Sequence, residues 1–349
     1  MIRTSVRLSI PLRFFPTLLL AALAAAVAGV SPRAAAGTIR HDRDPLQYLN
    51  YGAQHAAVGR FDIAKSEPGF VASGTLIGDR WVLTAAHTFD NATSGQFTVG
   101  DQTYNVADWH THPKWNGNLR RGFDLTLVKL AEPVANVAPV PMYTGKREFG
   151  ATASFAGFGR TGTGVTGDQT YDGLKRAGQN VVDGTMGKAG LSFRNKLPKD
   201  ARLFVVDFDN PANAADNVIG APEPTDLEYL ISVGDSGGGA FADLGEGQVL
   251  IGVHSFAEIP DGKDDSDYGD VTGHVRVSSF AKWVNKMIRR DAQTASARLG
   301  RQSAQSGEFG RLLAPDDSAT FAAATAVPEP GALGLLCAVG ALLLRRQRR

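Results

Sequence analysis

Between residues 37 and 290 the apolar side chains fall in short β-branched and aromatic runs, each closed off by Gly, Asp, Asn or Pro. Trp81-Val82-Leu83-Thr84, Leu125-Thr126-Leu127-Val128, Leu203-Phe204-Val205-Val206 and Val249-Leu250-Ile251-Gly252-Val253 are examples. Runs this short have strand length, and the residues between them form turns, so the pattern predicts an all-β sandwich or barrel. The 40 glycines of the 349-residue chain follow no G-x-y period and suit the many tight turns of such a fold. One segment has a different period. Phe280, Trp283, Val284, Met287 and Ile288 recur at helical spacing, with lysines and arginines between them. That spacing predicts an amphipathic helix closing the domain.

Both ends read as addresses. Residues 1–36 hold Arg3, Arg7, Arg13 and Arg33 and no acid, an apolar stretch over 14–30 broken by Pro16, and then Ala34-Ala35-Ala36. A basic start, an apolar middle and small residues at the end predict a secretory signal peptide cut between Ala36 and Gly37; an uncut membrane anchor is the alternative. At the other end Val327-Pro328-Glu329-Pro330 precedes a 14-residue apolar run and Arg345-Arg346-Gln347-Arg348-Arg349. That run is short of the ~20 residues a helix needs to cross a bilayer. Residues 327–349 resemble the PEP-CTERM sorting signal of Gram-negative bacteria. The resemblance implies transient anchoring in the inner membrane, removal of the tail by an exosortase-type enzyme, and delivery to the cell surface or matrix; a plain tail anchor is the alternative. Residues 291–326, rich in Ala, Ser, Gln and Gly, read as a flexible spacer.

The chain carries 36 basic and 35 acidic residues, a formal charge of +1. Taking away the eight arginines and one glutamate of the two addresses leaves 28 basic and 34 acidic residues, a net charge of −6. An acidic domain has no electrostatic footprint for nucleic acid. The single cysteine, Cys337, lies in the apolar tail and reads as a small hydrophobe, so the domain has neither disulfides nor a multi-cysteine metal site.

Three separate segments carry residues suited to nucleophilic catalysis. Gly234-Asp235-Ser236-Gly237-Gly238-Gly239 sets a serine among glycines, which let backbone N–H groups converge on one point. A serine hydroxyl needs a neighbouring base, and His87 stands at the end of a predicted strand in Thr84-Ala85-Ala86-His87. Asp124 heads the apolar strand Leu125-Thr126-Leu127-Val128, where a carboxylate is costly unless something such as a histidine N–H bonds it. Taken singly, each has an ordinary structural reading: a glycine turn, a packed histidine, a strand-start aspartate. Gly234-x-Ser236-x-Gly238 can also be read as the nucleophile elbow of an α/β-hydrolase, with His254 or His274 as base. That fold needs a helix directly after the serine, and three glycines make a poor helix start.

The order His87, Asp124, Ser236 resembles the trypsin/chymotrypsin-like serine peptidases. Gly74-Thr75-Leu76-Ile77 through His87, His112-Pro113-Lys114-Trp115, Gly157-Phe158-Gly159-Arg160, His254-Ser255-Phe256 and the helix at 280–288 resemble that family's segments in the same order. The resemblance implies two six-stranded antiparallel β-barrels with a C-terminal helix. It implies Ser236 as nucleophile, His87 as base and Asp124 as its orienting partner. The N–H groups of Gly234 and Ser236 form the implied oxyanion hole, and Ser255 helps to hold Asp124. Leu230, where members cleaving after lysine or arginine have aspartate, Ser255 and Ala257 correspond to the substrate pocket, implying a shallow apolar one. Asp235 corresponds to the acid that pairs with a freed N-terminal amine. No Ile-Val-Gly-Gly activation sequence is present, so signal-peptide removal is expected to supply that amine at Gly37.

The reading is of a secreted serine endopeptidase over residues 37–290. It acts on protein or peptide substrates through an acyl-enzyme, without cofactor or metal. A catalytically silent binding or surface protein on the same fold is the alternative. The implied partners are signal peptidase and the exosortase-type enzyme. The aspartate-rich loop 261–270 and the cluster Asp207, Asp209, Asn210, Asp216 and Asn217 read as solvated polar surface, although calcium takes such oxygen ligands. His110-Thr111-His112 lacks a third ligand for zinc.

Overall fold

Residues 37–65, 70–185, 201–220, 222–245, 247–260, 262–263 and 265–312 are described by the computed structural model. The expected signal peptide over 1–36, the expected sorting segment over 327–349 and Cys337 fall outside the described residues. The described residues begin with strand β1 (Gly37–Ile39) and helix α1 (Pro45–Gln54). Sequence periodicity misses this helix, but its start is locally written. Asp44 caps it by accepting the Leu46 N–H, and Pro45 brings a backbone φ already suited to a first turn.

Six antiparallel strands then close into a barrel. They are β2 (Val58–Ala64), β3 (Phe70–Gly78), β4 (Trp81–Thr84), β5 (Ser94–Val99), β6 (Gln102–Thr111) and β7 (Thr126–Leu130), joined in the order β2-β3-β4-β7-β6-β5. Strand alternation turns Phe61, Leu76, Val82, Phe97 and Val128 into its interior. The short helix α2 (Ala86–Phe89) follows β4 directly.

The second half contains β8 (Thr152–Gly157), β9 (Thr161–Thr163), β10 (Gly167–Thr170), β11 (Arg176–Val181), β12 (Leu203–Asp207), β13 (Tyr229–Leu230), β14 (Gly239–Asp243), β15 (Gln248–Glu258) and β16 (Val271–Arg276). Six of them form one antiparallel sheet in the order β11-β8-β14-β15-β16-β12. The expectation of a second closed barrel is corrected here: this sheet is a half-barrel. Among the described residues no ladder joins its edge strands. They meet through the isolated Gly184–Val205 bridge and through Asn180, whose Nδ2 donates to the Asp207 carbonyl at 2.5 Å. At that bridge Asp183 N–H donates to Val205 O at 3.2 Å and Val205 N–H to Gly184 O at 3.0 Å, and the Asn180 amide adds to this short backbone pairing. A smaller sheet, β10-β9-β1-β13, brings the first residues of the domain against Tyr229 and Leu230.

A further cluster seals the two halves together. It joins Trp81, Leu83 and Leu127 of the barrel to Phe241 and Val253 of the half-barrel. Each such side chain, fully buried, contributes about 1.5–3 kcal/mol relative to exposure. Phe280 and Val284 join the same cluster, so the predicted closing helix exists as the first turns of α3 (Ala281–Leu312). The helix runs on through 291–312, where composition suggested a flexible spacer. Ala, Gln, Arg and Leu, all good helix formers, supply much of that stretch. Among the described residues no helix is long and apolar enough to cross a membrane.

The half-barrel also buries an ion pair that sequence reading missed. Arg276 Nε and Nη2 donate to the two oxygens of Glu148 at 2.7 and 2.8 Å, with both side chains almost fully buried. Ser278 Oγ donates a third bond, at 2.7 Å, to the same carboxylate.

Candidate active site

His87, Asp124 and Ser236, from three distant segments, are carried to the junction of the two halves. Asp124 lies just before β7 and is fully buried. An ionised carboxylate without water needs donors, and Asp124 has three. The His87 backbone N–H donates to Oδ1 at 2.8 Å. His87 Nδ1 lies 2.7 Å from Oδ2, and Ser255 Oγ donates to that same oxygen at 2.5 Å. With Nδ1–H directed at the carboxylate, the lone pair of His87 stays on Nε2. Ser255, expected in the substrate pocket, therefore has its hydroxyl committed to Asp124.

Ser236 sits in a loop pressed against the end of the histidine strand. Its carbonyl accepts the Ser73 N–H of β3 at 2.9 Å. Gly237 has φ +85°, and a Cβ there would fall 2.0 Å from Thr84 Oγ1 and 3.0 Å from the Ala85 nitrogen. Only glycine fits this approach. Among the described residues no hydrogen bond joins Ser236 Oγ to His87 Nε2, a contact that in substrate-free enzymes is often loose. Nor do the N–H groups of Gly234 and Ser236 meet an acceptor among the described residues. Their neighbouring carbonyls are tied elsewhere: Val233 O accepts from Arg160 N at 2.7 Å, and Asp235 O from Gly238 N at 2.8 Å. Both N–H groups are thus without an acceptor among the described residues.

Asp235 is buried beneath this loop. Gly159 N–H donates to its Oδ1 at 2.8 Å, Ser232 N–H to its Oδ2 at 2.9 Å, and the Tyr229 hydroxyl to Oδ2 at 3.3 Å. Burial nevertheless pushes its carboxyl up to about 7. The carboxylate occupies the space that side chains at Gly157 and Gly159 would need, at 2.2 and 2.6 Å. Position 37 is one side chain away, since a Cβ on Gly37 would fall 2.1 Å from Tyr229 Oη.

Of the expected pocket residues, Leu230 is fully buried in β13, paired to Thr38. Ala257 lies near the end of β15, beside Glu258. Arg120 reaches Glu258 with two bonds of 2.6 Å, linking the turn before Asp124 to that strand. His254 and His274 are fully buried, with their Nδ1 atoms 3.1 Å apart, and burial holds His254 down to about 3. Strand β14, not a helix, follows Ser236. The α/β-hydrolase reading fails on both counts.

His112 packs against Phe123, Phe280 and Trp283. Asp265, Asp267 and Asp270 bring ligand atoms within 4.8 Å of one another, and Asp261 and Asp264 fall outside the described residues. The cluster read as solvated surface is corrected in part, because Asp207 and Asp209 are buried. Asp207 Oδ2 accepts from Val218 N–H and Ile219 N–H at 2.7 and 2.8 Å, and so ties down the 218–219 backbone. Beside them burial, then the charges of Asp207 and Asp209, push Asp183 up to about 8. Burial alone leads in raising Asp209 to about 7.

Residues 51–284 match the family model Trypsin. Chymotrypsin-like elastase family member 1 of Canis lupus familiaris is 24% identical over 261 residues, covering 70% of this chain and 85% of the relative. Its namesake in Macaca fascicularis is 33% identical over 100 residues, 26% of this chain and only 32% of that protein. A solved structure of neuropsin, a serine protease expressed in the limbic system of mouse brain, aligns with TM-score 0.49 and 19% identity, over 68% of this chain and 96% of that one.

The buried carboxyls set a pH dependence. Asp183 and Asp209 keep protons in the folded chain that the unfolded chain has released, so stability falls as pH rises toward 8. His55 and His254, depressed to about 4 and 3, act oppositely, but only below the usual histidine range near about 6.5. Lys175, lowered to about 8, begins to oppose the carboxyls only above that pH. Thermal melting should therefore drop between about pH 6.5 and 8, and Asp183→Asn should flatten the drop. An unchanged slope in that variant would remove Asp183 from the account.

Proposed function

The chain belongs to the trypsin family, and from that premise we propose that it is a secreted serine endopeptidase. In this reading Ser236 Oγ attacks the carbonyl carbon of a peptide bond while His87 Nε2 takes its proton. The tetrahedral oxyanion is met by the N–H groups of Gly234 and Ser236. Collapse expels the amine, which receives the proton from His87. Water, deprotonated by the same imidazole, then releases the acyl group and restores the serine.

The observation that carries this reading is the buried Asp124 carboxylate, bonded at 2.7 Å to His87 Nδ1 and at 2.5 Å to Ser255 Oγ. Such an arrangement fixes the imidazole tautomer and favours the imidazolium that forms during attack. A folded core has little use for a buried anion aligned on a half-exposed histidine. Removal of residues 1–36 and sorting by 327–349 complete the proposal: export through the signal peptide, a period in the inner membrane, then the cell surface or exterior.

A fluorophosphonate probe should label the chain covalently, and Ser236→Ala should abolish labelling and peptide hydrolysis together. A folded wild-type chain that stays unlabelled would favour the silent binding protein. We also propose a shallow, apolar primary pocket, because the family resemblance sets Leu230 at the position where members that receive a cationic side chain have a carboxylate. Alanyl and valyl peptides should be cleaved faster than arginyl ones; the reverse order would reject this pocket. Asp235 is proposed to receive the amine of a chain beginning at Gly37, since the Tyr229 hydroxyl that bonds Asp235 lies beside Gly37. An added residue before Gly37 should then lower kcat by roughly tenfold or more, as misplacing an oxyanion donor does. Full activity in the extended chain would overturn that assignment.

A further inference from the structure

Ser73 belongs to none of the sequence motifs, yet every polar group it owns is engaged at the junction of the two halves. It lies on β3 and is fully buried. Its N–H donates to Ser236 O at 2.9 Å, and its carbonyl accepts from Thr84 Oγ1 at 2.8 Å. Its hydroxyl donates to Gly234 O at 3.0 Å and accepts the Phe158 N–H at 2.9 Å. One serine of the closed barrel thus holds three separate points of the half-barrel: Phe158, Gly234 and Ser236.

The hydroxyl bond matters because of what it fixes. Gly234 has φ +98°, a conformation that leaves its two flanking peptides easy to rotate. The peptide before it is held by Arg160 N–H on Val233 O at 2.7 Å. The peptide after it is held by Ser73 Oγ–H on Gly234 O. A trans peptide points its N–H opposite its carbonyl, so the Arg160 bond directs the Gly234 N–H. The Ser73 bond, with Asp235 N–H on Ser232 O at 3.0 Å, fixes the next peptide, which lies between the Gly234 and Ser236 N–H groups and sets their relative orientation. Without the Ser73 hydroxyl, the second peptide loses its tie to the barrel and Phe158 N–H loses its acceptor.

We propose that Ser73 is a positioning residue for the pair of oxyanion-binding N–H groups of Gly234 and Ser236, acting through the Gly234 carbonyl in the peptide between them rather than on substrate. The proposal rests on the serine-peptidase reading given above. The bond is made before substrate arrives, so losing it weakens binding of the tetrahedral oxyanion and leaves binding of the planar peptide almost unchanged.

The test compares wild type with Ser73→Ala, Ser73→Cys and Ser73→Thr in fluorophosphonate labelling, peptide hydrolysis and inhibition by a peptide aldehyde. Ser73→Ala should lower kcat roughly 10- to 100-fold, somewhat less than deleting an oxyanion donor outright, with KM within about twofold. Aldehyde affinity should fall by the same factor as kcat, because the adduct places its oxygen on the same N–H groups. Ser73→Thr, which keeps the hydroxyl on a strand that tolerates β-branching, should restore most of both. Should Ser73→Ala not fold, Ser73→Cys keeps nearly the same volume with a weaker donor and should show a smaller loss in the same two quantities. Unchanged kcat and aldehyde affinity in a folded Ala or Cys variant overturn the role of Ser73 alone. A rise in KM with kcat intact overturns it as well. A wild-type chain that neither labels nor hydrolyses overturns the serine-peptidase reading, and this proposal with it.

Discussion

Burying the Asp124 carboxylate is the constraint around which the two halves are arranged. A lone anion away from water would be lost to protonation or would unfold its surroundings. Its donors come from the turn after β4, through both the backbone and the ring of His87, and from β15, through Ser255. Two of these belong to the closed barrel and one to the half-barrel. Neither half alone can satisfy the carboxylate, so the interface that seals Trp81 and Leu127 against Val253 also completes the site. Packing and chemistry are coupled at one residue.

The same coupling explains the glycines beside Ser236. Gly237 is pressed against Thr84 and Ser73, while Gly157 and Gly159 vacate the volume that Asp235 fills. A methyl group at any of these points would push the serine loop away from the histidine strand. The loop is set by what is missing from its neighbours' side chains as much as by what its own residues bond.

Strands with a strong apolar period were legible in the sequence. Trp81-Val82-Leu83-Thr84 is β4 to the residue, and the run beginning at Leu203 is β12 with one residue added. His87 and Asp124 were legible as a pair only through the family resemblance, since each alone also had an ordinary structural reading; the 2.7 Å bond between them joins the two. Elements lacking a period stayed hidden. Strand β13 is two residues long, and β1 is three residues held by pairing on both edges. The half-barrel's edges meet at one isolated bridge, Gly184 to Val205, among the described residues, a register matter that no local composition records. Ser73 was invisible for a related reason. A serine in a β-run looks like any outward-facing polar residue until the partner half is folded against it.

What holds the serine loop in place follows from the cysteine count. The one cysteine is Cys337, far outside the loop in sequence, so no disulfide can fasten residues 230–240. Hydrogen bonds to distant backbone take that part. Ser232 Oγ donates to Arg160 O, Arg160 N–H to Val233 O, Gly159 N–H to Asp235, and Ser73 Oγ–H to Gly234 O. Each bond alone is worth about 0.5–1.5 kcal/mol, whereas a buried polar group left unmade costs about 1–3 kcal/mol. The network is therefore held together chiefly by the penalty for breaking it. Because every tie buries a group that would otherwise be stranded, the loop has one arrangement that satisfies all of them, and that arrangement leaves the N–H groups of Gly234 and Ser236 unclaimed. A loop fastened in this way is rigid only while the two halves stay closed. Opening the junction would release the Asp124 donors and the Ser73 ties together, so order at the site and closure of the domain form one cooperative event.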